Sequence, residues 1–203
     1  NLAEVLYCQR KFEAAEQAAR EAVRIDPSPP YRIYLAGVML RQGKHVEAIA
    51  KMDEVLRQDP KYVYAYYRRA WAHLIAGNGL AAFSDSRTYL ELKGWREEGA
   101  CYVAILGYLG ARQAGRTEDA EKLLDESAAK CDPTAWPYPV IRYFRRELTP
   151  KEILNTKDQY ASTDFAAFYG MDLSLSGKKR EALAQLRPLA EKRDEYSYSH
   201  LLA

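Results

Sequence analysis

Side chains capable of bond chemistry are scattered along this sequence. His45, His73 and His200 stand alone, with no carboxylate or cysteine at ligand spacing, so no metal site is expected. Cys8, Cys101 and Cys131 are far apart, cannot all pair and form no CxxC, so they read as partly buried thiols. Three cysteines lean toward a reducing compartment without excluding an oxidising one. No GxSxG, HExxH, phosphate-cradling glycine loop or Cys–His pair is present. The acidic residues sit among Lys and Arg, as on solvated helix faces. Neither catalysis nor a cofactor is expected.

Aromatic residues mixed with arginine are the remaining chemistry. Trp136, Tyr138, Arg142, Tyr143, Arg145 and Arg146 interleave stacking surfaces with positive charge, a composition that can hold single-stranded nucleic acid. The net charge of only +2 argues against that, and the same aromatics can seal a helix pair while the arginines stay in water. Tyr64, Tyr67, Arg68 and Trp71 have the composition of a protein-binding hot spot.

The elements that must position these residues are helices. Helix formers dominate the 203 residues, and the chain is 48% hydrophobic, enough for a sizeable core. No apolar run approaches the roughly 20 residues of a membrane span. Tyr62–Leu92 carries the clearest pattern. Tyr66, Ala70 and His73 share one helical stripe, while Tyr64, Tyr67, Trp71 and Leu74 share the next. Gly77-Asn78-Gly79 stops that helix, and a second helix turns Ala82, Phe83, Ser86, Tyr89 and Leu90 inward.

The unit recurs. Ala15, Ala48 and Ala82 are 33 and 34 residues apart, and Ala120 and Ala182 continue the series at spacings of 38 and 62. The matching turn positions are Arg10, Gly43, Gly77, Gly115 and Gly177. A recurring small residue implies that two helices cross closely there. These features resemble the tetratricopeptide repeat family, whose period is 34 residues. Ala36, Ala70 and Gly170 match its small first-helix position, the alanine series its second-helix position, and Pro27 and Pro60 its closing proline. Arg10 in place of glycine, Gly94 in place of proline and Tyr108 at a small position depart from the pattern. The resemblance implies an all-α, right-handed α-solenoid of antiparallel helix pairs, with four to five repeats and one divergent pair. The expected units are 1–28, 29–61, 62–94, 95–133, a divergent pair at 134–157, a last repeat at 158–193 and the start of a capping helix at 194–203.

In that family, first-helix residues line a concave groove. Carried over by position, Arg41, Tyr64, Tyr67, Arg68, Trp71, Tyr102 and Arg112 become the expected partner-binding residues. Two roles stay open for the aromatics, groove contact or packing against the next repeat. Trp71→Ala separates them, because a core tryptophan costs roughly 3–5 kcal/mol when truncated. Arg68 lies where some relatives clamp a carboxylate, but Tyr34 stands where that clamp needs asparagine. A clamp of that kind is not expected.

Val140–Leu148 reads as a short helix after Pro133, Pro137 and Pro139, and Thr149-Pro150 as the start of another. Pro188 predicts a kink or an early end near Gln185. Residues 60–203 are also similar to bacterial lipoprotein adaptors of the NlpI type. That resemblance implies a dimerising adaptor in the bacterial periplasm, lipid-anchored through a segment preceding residue 1; a cytoplasmic setting is the alternative. The expected function is a non-catalytic adaptor with a protein or peptide partner and no nucleic acid. An assembly module, including a homodimer, is the second expectation.

Overall fold

In the computed structural model, which describes residues 2–97, 99–155 and 158–192, the chain is all-helical, with twelve helices and no strand among the described residues. In order these are α1 Leu2–Cys8, α2 Phe12–Ile25, α3 Pro29–Arg41, α4 His45–Gln58, α5 Val63–Ile75, α6 Gly79–Lys93, α7 Ala100–Gln113, α8 Thr117–Lys130, α9 Tyr138–Phe144, α10 Pro150–Leu154, α11 Gln159–Leu175 and α12 Lys179–Lys192. Residues 194–203, the expected capping helix, lie outside the described residues.

Each pair turns in the same way. Gly43, Gly77, Gly115 and Gly177 take φ between +71° and +81°. The next amide bonds back across the turn, Lys44 N to Met39 O and Asn78 N to His73 O at 3.0 and 2.8 Å. This geometry satisfies carbonyls the helix end would leave open. Arg10 and Arg146 make the same turn at φ of 60° and 62° without being glycine. Lys11 N bonds Leu6 O and Glu147 N bonds Arg142 O, both at 2.9 Å.

The first helices of successive pairs touch one another, α3 on α5, α5 on α7 and α7 on α9, while the second helices pack outside them. The result is an α-solenoid of antiparallel helix pairs. Ala15, Ala48, Ala82 and Ala120 are all fully buried where the helices of a pair cross. The tightest approach joins α6 to α7. A Cβ on Gly79 would lie 2.4 Å from the carbonyl oxygen of Gly110, and one on Gly110 would lie 2.7 Å from that of Gly79. Tyr108 leaves the close crossing to Gly107, whose Cα faces Leu123, and turns its own ring onto Phe144 at 4.5 Å.

Two local expectations need correction. The short helix ends at Phe144 and not at Leu148, because Arg146 takes the left-handed conformation and turns the chain. Thr149 then caps α10, accepting from the Glu152 backbone amide while the Glu152 carboxylate accepts from Thr149 N at 2.7 Å. Pro188 lies inside α12, which continues to Lys192. Packing outweighs the lost backbone bond there: Ala182 and Leu189 are buried, and Leu186 presses on Gly170 so closely that a Cβ would meet it at 2.4 Å.

The divergent pair has consequences for the whole inner layer. With only seven and five residues, α9 and α10 are too short to hold α11 away from α7. α11 therefore packs on α7, and its Phe168 reaches Trp71 on α5. One continuous core joins Trp71, Leu74, Ile105 and Leu109 to Val140, Ile141, Phe165 and Phe168.

Candidate partner-binding face

The seven residues expected to bind a partner fall into two groups. Trp71, Tyr102 and Arg112 all face α11. Trp71 is 1% exposed and stacks on Phe168, with ring centroids 6.1 Å apart and planes 26° apart. The Tyr102 hydroxyl donates to the Asp164 carboxylate at 2.6 Å. Arg112 donates to Asp172 and, at 3.1 Å, to the Ser176 hydroxyl. Tyr143 on α9 donates to the other oxygen of Asp172 at 2.8 Å. Asp164, Phe168 and Asp172 stand at i, i+4 and i+8, a single stripe of α11 that meets the inner layer.

The electrostatics follow from this arrangement. Burial, with the Asp164 carboxylate beside it, raises the Tyr102 pKa far above the usual phenol range. Burial and the bond to Asp172 do the same for Tyr143. Burial works against the Arg112 charge, but Tyr108 and Asp172 outweigh it and the pKa rises. All three side chains thus stay protonated donors to α11 at physiological pH.

Arg41, Tyr64, Tyr67 and Arg68 form the second group, in which Tyr67 borders the core that Trp71 shares with α11. Tyr64 is 54% exposed and lies 6.3 Å from the Tyr62 ring. The Arg68 guanidinium sits 5.7 Å from the Tyr67 ring, and Tyr67 leans on Tyr89 at 6.2 Å. Arg41 sits 5.8 Å from the ring of Tyr7, which lies 6.4 Å from Tyr34. Aromatic rings hold both guanidinium planes, with Arg41, Tyr67 and Arg68 each half-buried.

Sequence reasoning missed three contributors. Tyr7 carries no periodic signal, since α1 is short. The Asp164–Phe168–Asp172 stripe is visible in the sequence, but nothing there shows that it reaches α7. Arg69 sits among the other charges of the sequence with no mark of its role, yet it ties three helices together. Its Nε and Nη2 donate to Asp85 on α6 at 2.8 and 2.7 Å, and its Nη1 to Asp53 on α4 at 2.5 Å. Burial opposes that charge, and the two carboxylates outweigh it.

Trp136 and Tyr138 pack against the main core, and Tyr138 donates to the Ala128 carbonyl at 2.9 Å. Arg142 and Arg145 both pair with Glu147. A cleft of about 720 Å³ opens between α7, α8, α9 and α11, where Arg112, Arg145 and Arg146 stand among Glu121, Asp125 and Asp172. Its charges balance one for one. Among the described residues no cluster of three or more His, Cys, Asp or Glu could hold a metal ion, and no helix is long and apolar enough to cross a membrane.

No protein-family model matches this chain. Over 89 residues it is 29% identical to the tetratricopeptide repeat and J domain-containing co-chaperone DNJ1 of Cryptococcus neoformans var. grubii. The matched stretch is 43% of this chain and 17% of that protein, so the chain corresponds to a small part of the curated relative. The likeness agrees with the helical-repeat architecture and points toward tetratricopeptide repeats.

Proposed function

We propose that the chain is a non-catalytic tetratricopeptide-type scaffold that holds a protein or peptide segment on the first-helix face of its second and third pairs. The observation that carries this reading is the division of the inner layer. α11 covers Trp71, Tyr102 and Arg112, while Tyr64 is exposed and Arg68 and Arg41 are half-buried outside that cover. The covered residues then act as structure, and the open ones supply the contacts. The relative's printed name, a co-chaperone with tetratricopeptide repeats, is in keeping with a protein partner. Single-stranded nucleic acid is a poor fit, because Trp136 and Tyr138 are occupied in packing and the Arg142 and Arg145 charges are paired.

A pull-down comparing the parent chain with the Tyr64→Ala, Arg68→Ala double variant tests this reading. Val46→Ser on α4 serves as control, since Val46 is 79% exposed at the start of a second helix. Partners should be retained by the parent and the control and lost by the double variant. Equal recovery from all three removes the proposal.

An assembly role is the second reading, and one observation favours it. α1 presents Leu2 and Val5 to solvent at 68% and 52% exposure, on the outermost first helix of the described stack. Light scattering that finds a monomer at high concentration would count against it. The bacterial envelope setting rests on the resemblance of residues 60–203 to NlpI-type adaptors. Finding the protein in the cytoplasm of its source cell would remove that setting without touching the scaffold reading.

A further inference from the structure

Cys101 and Cys131, thirty residues apart in sequence, meet in the folded chain. Cys101 lies in the first turn of α7 and Cys131 is the C-cap of α8, so the two close the open end of the fourth pair, opposite its Gly115 turn. Both are buried in the same core cluster, at 5% and 4% exposure, at facing ends of an antiparallel helix pair where their thiols interact. They do not lie beneath the middle of a helix. Two connections run past this end of the pair, one leading from Gly94 into α7 and one from Cys131 into α9. The first contains Gly94 and Gly99 at φ of 103° and 87°. The Lys130 ammonium 4.8 Å from the Trp95 ring joins the first connection to the end of α8.

We propose that Cys101 and Cys131 are a redox-reactive pair that forms a reversible disulfide, stapling the start of α7 to the end of α8. The oxidant is a low-molecular-weight disulfide such as oxidised glutathione. The Cys101 thiolate attacks one glutathione sulfur, forming a mixed disulfide and expelling one glutathione thiolate. The Cys131 thiolate then attacks the Cys101 sulfur and expels the second. Two cysteine thiols are oxidised, one glutathione disulfide is reduced to two thiols, and the two protons lost by the cysteines end on glutathione. The order follows from the different settings of the two thiols. The neighbouring Cys131 thiol lowers the Cys101 pKa, whereas Cys101 and burial push the Cys131 thiol up. Because Tyr102 follows Cys101 directly and donates to Asp164, the staple would also fix the point where α7 holds α11.

The test is to equilibrate the intact chain with excess oxidised glutathione, then alkylate under denaturing conditions and map the peptides by mass. The expected result is a Cys101–Cys131 crosslink with Cys8 still alkylated, reversed by dithiothreitol. The oxidised chain should melt roughly 5–10 °C higher than the reduced one, because the bond closes a loop of about thirty residues. Cys101→Ser and Cys131→Ser should each abolish the crosslink and the shift. Refolding from urea in the same buffer removes any barrier set by burial. If both thiols remain alkylatable after native incubation and after refolding, or if the crosslink runs through Cys8, the proposal fails. The mapping on the parent chain decides even if a serine variant does not fold.

Discussion

Arg69 gives the strongest prediction about what holds the stack together. Its guanidinium bridges α4, α5 and α6 through three bonds of 2.5–2.8 Å to Asp53 and Asp85, and its charge lies 5.5 Å from the Tyr66 ring. Asp85 is 5% exposed, so it depends on Arg69 for charge compensation, whereas the Asp53 side chain is 47% exposed and can rehydrate. Arg69→Met keeps the apolar stem and removes the charge. Leaving one member of a buried pair alone costs about 3–5 kcal/mol. The Arg69 side chain is 19% exposed and water can reach part of the site, so we expect about 2–4 kcal/mol. Urea denaturation followed by circular dichroism reads the loss directly. In Arg69→Met, Asp85→Leu the stranded carboxylate is gone, and most of the stability should return. A loss below about 0.5 kcal/mol, or a double variant as unstable as the sum of the two singles, would refute the reasoning.

Three further outcomes follow from the same geometry. Gly110→Ala forces a Cβ to 2.7 Å from Gly79 O and 2.9 Å from Phe83 N, both backbone atoms that cannot step aside, so thermal melts should show a loss of about 1–3 kcal/mol or more. Arg146→Gly relieves a left-handed arginine, whose conformation costs about 1–2 kcal/mol; after the extra freedom glycine gives the unfolded chain, a net gain of roughly 0.5–1 kcal/mol should appear as a higher melting temperature. His73 has its pKa lowered, chiefly by burial and further by Arg69, against the opposing pull of Asp85 and Asp53. Below its ordinary value near 6.5 the unfolded chain therefore binds a proton that the folded chain does not, and stability falls as the pH drops through that range. His73→Gln should flatten the pH 5–7 portion of the stability curve, and an unchanged slope would contradict the assignment.

The repeat architecture is legible because it is written locally and many times. Ala15, Ala48 and Ala82 keep a spacing of 33 and 34, and each turn glycine sits a fixed distance before its alanine. The fifth turn escapes the same reading because Arg146 stands where glycine is expected, although it falls 31 residues after Gly115 and 31 before Gly177. Pro188 misleads for a different reason. Its local rule is sound, but the packing of Leu186 and Leu189 on α11 is stronger than the preference. The closure of the inner layer is not legible at all. It joins Trp71 to Phe168 across nearly a hundred residues and follows from the brevity of α9 and α10, which no period encodes. The candidate face is half legible: Tyr64 and Arg68 follow from the repeat phase, whereas Tyr7 under Arg41 becomes visible only once α1 and α3 are packed. The meeting of Cys101 and Cys131 likewise needs the α7–α8 pairing before two separate thiols become one site.

Site-specific photocrosslinking tests the central claim, that α11 closes part of the inner layer and leaves the α3–α5 part for a partner. A photoreactive phenylalanine analogue would replace Tyr64 in one chain and Tyr102 in another, each irradiated in the source cell's extract. The account predicts that position 64 crosslinks to another protein, while position 102 crosslinks within its own chain to a peptide of α11. Crosslinks from position 102 to another protein, with none from position 64, would contradict it.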